Sequence, residues 1–282
     1  MASEGHRASS AQVLGLRDLA TIAIRRWHSI RIWLELIRNL AVRDVETRYK
    51  HSLLGLYWAI INPLMMALIF SFVFTVIFHA SSKPIPYVVF LLTGLTFWNL
   101  FANSIMSATS SITGNAALLS KLYFPRVVIP TASVMARLID FLFALFVLVV
   151  FILAYHVRVY PSLLWIVPIV GVQTLFALGV GYLLAAFNVL YRDMTQLVGL
   201  LLMVWMYLSP VMYPIGNVSN TIQSILLVNP MGAMIQAERD LLFTGSLTQA
   251  PYLWAAVAWS GFVFLFGIYE FKRLEPTFAE VL

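Results

Sequence analysis

Apolar residues in this chain run in long, nearly unbroken blocks rather than in the stripes of a soluble helix or the alternation of a strand. Crossing ~30 Å of hydrocarbon takes ~20 such residues. Six blocks meet or approach that length, at about 57–78, 87–112, 127–155, 163–190, 197–212 and 252–271. They predict an all-α integral membrane protein with six transmembrane helices. The fifth block is the shortest, and it extends either back to Thr195 or on toward Ile215. The second is polar in its latter half, where Asn99, Asn103, Ser104, Ser107, Thr109, Ser110 and Ser111 gather. Backbone at membrane depth stays helical, so these side chains are expected to face protein or water rather than lipid.

Three stretches depart from the block pattern. Before the first block, Ile30, Trp33, Leu34, Ile37 and Ala41 recur at helical spacing, while Arg31, Glu35 and Arg38 share another face and form i,i+4 and i,i+3 charge pairs. A basic amphipathic helix with a tryptophan beside a span is expected to lie in the cytoplasmic interface, as an anchor or as a mechanical element. Between the second and third blocks, TGNAALLSKLYFPR (113–126) starts on Thr-Gly-Asn and stops at Pro125, which predicts a short cytoplasmic helix. Between the fifth and sixth, residues 215–251 hold two apolar pieces, 221–228 and 231–243, punctuated by Pro214, Asn229-Pro230, Gly232 and Gly245. They are too short to span, and read as re-entrant helices or as an ordinary cap outside the membrane. The organisation is then a flexible cytoplasmic N-terminus (1–29), an amphipathic region (30–50) and a six-span domain (51–282). No internal repeat supports an inverted-repeat transporter.

Composition agrees with a bilayer setting: 61% of residues are hydrophobic and 11% charged, with a mean hydropathy of +0.88. Soluble domains carry roughly 25% charged residues. The net charge of +6 is not spread as a nucleic-acid footprint, because nine of the eighteen Lys and Arg precede the first block. Apolar sequence begins too late, near Tyr57, for a cleavable signal. With the N-terminus inside, fourteen Lys and Arg fall on the cytoplasmic side. Lys83, Arg158 and Arg239 fall outside and Arg137 within a span. The positive-inside rule therefore puts both termini in the cytoplasm.

The chain contains no cysteine, and its five histidines lack metal-ligand spacing. No Walker A, GxSxG or GxGxxG motif and no paired carboxylates appear, so neither an enzyme nor an ATPase is expected. Arg137 and Asp140 lie i,i+3 inside the third block, either neutralising each other or serving transport. Tyr57, Trp58, Phe97, Trp98, Phe101, Trp205, Tyr207 and Tyr213 suit an aromatic belt, or stacking on the CH faces of sugar rings.

Several stretches in order carry a resemblance over nearly the whole chain from about Ile30. They are RDVETRYKHSLLGLYWAIINPLMMALIFSFVF (43–74), LLTGLTFWNLFANSI (91–105), FNVLYRDM (187–194), LSPVMYPI (208–215) and LVNPMGAMI (227–235). Together they resemble the permease subunit of type-2 ABC exporters that move O-antigen polysaccharide, teichoic acid or related lipid-linked glycans across the bacterial inner membrane. The resemblance implies a homodimer working with two separate cytoplasmic ATPase subunits that bind ATP and Mg. It implies that 114–126 is a coupling helix docking on the ATPase, through Gly114, Leu118, Leu119, Lys121, Leu122, Tyr123 and Arg126. Tyr191, Arg192 and Asp193 would form a cytoplasmic contact or gate. Tyr57, Trp58, Asn62, Trp98, Asn99, Asn103 and Tyr207 would line a sugar conduit. A same-fold exporter of a drug or small lipid, an ATP-independent glycan channel and an integral enzyme of glycan assembly remain as alternatives.

Overall fold

The computed structural model describes residues 31–50, 55–77, 85–119, 124–191 and 193–278, which form helices joined by turns and short irregular stretches, with no strand among them. The expected flexible segment 1–29, together with Ile30, Lys121, Leu122, Tyr123 and Arg192, lies outside the described residues. The helices are α1 (31–49), α2 (Trp58–Phe72, continued by a π-helical stretch Val73–Ile77), α3 (Tyr87–Gly114), α4 (Ala116–Leu119), α5 (Val128–Ala154), α6 (Ile166–Leu190), α7 (Met194–Tyr207), α8 (Asn220–Val228), α9 (Pro230–Phe243) and α10 (Ala250–Leu274).

Five of them are long and apolar enough to cross a membrane: Ile60–Ile77, Tyr87–Gly114, Val128–Ala154, Pro161–Leu190 and Ala250–Thr277. The fifth predicted block becomes α7, whose fourteen residues rise only ~21 Å at 1.5 Å each. Its end has a local cause. The Ser209 hydroxyl bonds back to the Trp205 carbonyl, and Pro210 has no N–H with which to extend the ladder.

Helix α3 is the hub. Its most apolar stretch is 83% buried, against 6% for that of α2, and it packs on α5, α6, α2, α7 and α9. An aromatic cluster fills the space beside it, with Phe101 stacked on Phe176 and edge-on to Trp205. Helices α6 and α10 cross where Gly179 meets Gly267, so closely that a Cβ at Gly267 would run into the Gly179 carbonyl. Small residues allow this kind of backbone approach between helices.

Helix α1 forms as its charge pattern predicts, with Arg31 and Glu35 paired at 3.1 Å. Of its expected apolar face, Ile37 and Ala41 pack on the bundle while the N-terminal part stays free of it. Trp33 and Leu34 are exposed, whereas Leu40 and Ala41 are buried and Leu36, Ile37 and Val45 pack against Val128, Ile129 and their neighbours. The helix therefore docks on the bundle from Leu36 onward.

Candidate functional site

The C-terminal end of α1 meets α2, α3 and α5 around a cavity of about 520 Å³. Its lining includes Arg48, Tyr49, Trp58, Asn62, Thr96, Asn99, Asn103, Arg137 and Asp140, a markedly polar set inside an apolar bundle. The Arg137–Asp140 pair forms as its i,i+3 spacing suggests, at 3.1 Å, but it is not self-contained. Asp140 Oδ2 also accepts from Arg48 Nη1, and Asp140 Oδ1 accepts from the Tyr49 hydroxyl at 2.8 Å. Burial and the Asp140 carboxylate push the Tyr49 phenol above its ordinary pKa, which keeps it a donor. Arg137 Nε donates to Ser107 Oγ at 2.6 Å, tying the cluster to α3. One carboxylate thus serves two guanidiniums, one of them from a helix 92 residues earlier in sequence.

Four of the seven residues expected in a conduit line this cavity: Trp58, Asn62, Asn99 and Asn103. The other three do not. Tyr57 stands 69% exposed on the turn before α2, and Tyr207 is exposed at the end of α7. Trp98 is 3% exposed and packs 5.7 Å from Phe101 in the aromatic core. Helical phase explains the split: Thr96, Asn99 and Asn103 fall on one stripe at i, i+3 and i+7, whereas Trp98 is turned by 100° from Asn99.

At one end of the bundle the connections are laced together. Arg43 of α1 donates to Asn115 Oδ1 at 2.6 Å, and Asn115 Nδ2 donates to the Ser111 carbonyl, capping α3. The described part of the 113–126 link holds one helical turn, α4, with Leu118 and Leu119 half-buried and Gly114 in open space. Arg126 reaches the Glu275 carbonyl at 2.5 Å, so the link is fastened to the end of α10. A groove of about 430 Å³ runs between them, lined by Leu119, Phe124, Pro125, Arg126, Lys272, Glu275 and Pro276. Tyr191 and Asp193 are exposed at the α6–α7 turn. The residue that joins this turn to the link is Asn188, which the sequence reading did not single out. It donates to Thr113 Oγ1 at 3.1 Å and accepts from Thr195 Oγ1 at 2.9 Å.

Farther along the chain, LSPVMYPI and LVNPMGAMI prove to be two halves of one junction. The Asn229 side chain accepts from Met231 N–H and from Trp205 Nε1, and donates to Ser209 Oγ at 2.8 Å. Helix α9 then buries Glu238, Arg239 and Asp240. Arg239 Nη1 donates to the Pro210 carbonyl, and Nη2 donates to those of Val211 (2.6 Å) and Phe90 (3.2 Å). Its guanidinium also lies 3.6 Å from the Phe90 ring centroid. The charge of Arg239, which the sequence places in an outside connection, is thus spent on backbone carbonyls within the protein. Gly94 makes room for it: a Cβ there would strike Arg239 Nη2 and lie 2.5 Å from the Val211 carbonyl. Asn229→Ala removes an N-cap and leaves the Trp205 indole unpaired. It is expected to cost about 1–3 kcal/mol, read as a lower thermal midpoint with α7 tryptophan fluorescence shifting first.

Comparison with known proteins places this arrangement. The ABC-2 type transporter family matches residues 35–243. The O-antigen export system permease protein RfbA of Klebsiella pneumoniae is 32% identical over 266 residues, covering 93% of this chain and 100% of that protein. RfbA of Myxococcus xanthus is 32% identical over 253 residues, 87% of this chain and 94% of its own length. The polysialic acid transport protein KpsM of Escherichia coli is 25% identical over 223 residues, 77% of this chain and 84% of its own. Matches that run through α1, the polar cavity and the α7–α9 junction leave one assignment: the chain is a multi-pass membrane permease of the ABC-2 type transporter family, a transport component and not the ATPase.

Proposed function

We propose that this permease exports a lipid-linked, O-antigen-like polysaccharide across a bacterial inner membrane, and that the cavity bordered by Trp58, Asn62, Asn99 and Asn103 is part of the sugar path. The observation that carries this reading is the cavity's polar lining within an apolar bundle. Side-chain amides and a tryptophan suit hydroxyls and the CH faces of sugars, and poorly suit an acyl chain. The relatives named for O-antigen export support the cargo class.

On this reading α7 with residues 208–214 completes a sixth crossing, and α8 with α9 forms a re-entrant pair at the exit. Both termini lie in the cytoplasm. Helix α2 and the outer face of α7 carry a dense set of exposed apolar residues, among them Met65, Ile69, Phe72, Leu200, Leu201 and Met203. They are the faces offered to a second copy, since one chain encloses only one side of a polymer path. Two ATPase subunits, holding ATP and Mg, dock at the 114–126 link. Leu118, Leu119 and Arg126 make that contact and the exposed Tyr191 and Asp193 belong to the gate, with Lys121, Leu122, Tyr123 and Arg192 assigned to the same roles from the sequence alone. Asn188 passes movement of the link to α7, while Arg43 passes it to α1.

A deletion strain complemented in trans tests the proposal. Loss of long-chain surface polysaccharide on deletion is expected, with recovery from the native gene. A double Asn99→Leu, Asn103→Leu variant present at native membrane levels should restore much less. Normal surface polysaccharide in the deletion strain would refute the reading. ATP hydrolysis by the purified chain alone would refute the division of labour.

A further inference from the structure

The cavity holds more than a sugar path needs. Two arginines and one aspartate border it, so it carries one net positive charge, and that charge is only partly used. Asp140 takes one bond from each guanidinium and a third from Tyr49, and Ser107 takes Arg137 Nε. The remaining N–H groups of Arg48 and Arg137 have no partner among the described residues. Beside them, Thr96 is 2% exposed, lines the cavity, and its hydroxyl has no hydrogen-bond partner among the described residues. Asn62, Asn99 and Asn103 likewise make no side-chain hydrogen bond among the described residues. Buried polar groups are normally satisfied, and cations held among spans are paired or mark a ligand. An excess cation, an orphan buried hydroxyl and the amides that α2 and α3 open to the same cavity therefore describe a ligand with an anionic group and a ring of hydroxyls.

We propose that this cavity binds a phosphorylated sugar, with the phosphoryl group on Arg48 and Arg137 and the ring hydroxyls on Asn62, Asn99, Asn103 and Thr96. The proposal rests on the glycan-export reading and adds to it which part of the cargo is held here: the phosphoester that joins the glycan to its lipid. Guanidinium forks match phosphoryl oxygens in geometry and bind them by charge-assisted bonds. Asp140 has a definite part. It holds the two guanidiniums at a shared point and lowers their combined charge, so that an anion binds without being trapped. Trp58, at the mouth of α2, offers a face for the sugar ring.

The test uses the full chain in phosphatidylcholine nanodiscs and follows the phosphorus line of glucose 1-phosphate by NMR, a method suited to weak ligands. Broadening of that line is expected with the native chain, and about tenfold weaker apparent affinity with Arg48→Gln or Arg137→Gln. Arg48→Lys should retain most of the binding. Glucose without phosphate, and inorganic phosphate without sugar, should each bind more weakly than the combined ligand. Thermal midpoints accompany every variant, and Asp140→Asn paired with Arg48→Gln preserves the charge balance should either single change unfold the chain. Equal broadening in native and folded arginine variants would overturn the proposal. So would inorganic phosphate binding as well as the sugar phosphate, or complete displacement when phosphatidylglycerol is included in the nanodisc, which would make this a headgroup site. Surface polysaccharide in the same strains separates the two claims. Normal export by Arg48→Gln and Arg137→Gln would sink the phosphoryl site and leave the export reading standing. A deletion strain with normal polysaccharide would sink both.

Discussion

Arg239→Met is expected to leave little folded permease. Methionine fills similar volume and keeps the apolar contact with Phe90, so the change isolates the loss of the guanidinium. The carbonyls of Phe90, Pro210 and Val211 each lose a donor. Each buried carbonyl left without its donor costs about 1–3 kcal/mol, and three together are a large fraction of the ~5–15 kcal/mol that holds a typical domain together. Thermal unfolding in detergent, followed by size-exclusion chromatography, reads the effect as a collapse of the monodisperse peak. Arg239→Lys should recover only part of it, because an ammonium group lacks the planar fork that reaches three carbonyls around a ring. A methionine variant that melts with the native chain would show that the 208–214 turn is held by packing alone.

The same residue shows where reading the sequence stops. Arg239 lies in a loop by hydropathy, and nothing local announces that it returns to a helix 149 residues earlier. Arg48 and Asp140 are separated in the same way: the i,i+3 partner of Asp140 is visible in the sequence, whereas the partner from α1 appears only once that helix has docked. What was legible was local. Block length located the five long helices, and the gathering of polar residues in the second block marked Asn99 and Asn103 as facing protein or water rather than lipid. Proline and asparagine at 229–230 marked the break between α8 and α9. Trp98 was misplaced by one helical position, since an aromatic belt and an aromatic core look alike in one dimension. The end of α7 was not legible from apolar block length, because it is set by Ser209 and Pro210 rather than by loss of apolar character.

Gly267→Val carries the second large effect, and it acts on a part of the molecule remote from the cavity. A Cβ at Gly267 would collide with the Gly179 carbonyl and sit 3.1 Å from its Cα. A Cβ at Gly179 would lie 2.6 Å from the backbone of Phe264. The obstacles are backbone atoms on both sides, so no side-chain rotation relieves the contact and α6 must move away from α10. Overpacking in a well-packed interior typically costs about 1–3 kcal/mol, and backbone obstruction puts this case at or above the upper end. The displacement would travel along α6 to Asn188 and its bonds to Thr113 and Thr195, where the 113–126 link meets α7. The expected result is a chain that inserts but melts early and no longer gives a stimulated ATPase rate with its partner subunit. Gly261→Val is the control: it lies on the same helix but faces open space, and should leave both readouts unchanged. Equal behaviour of the two variants would mean that α6 and α10 do not meet backbone to backbone, and that the path from their crossing to the cytoplasmic link is broken.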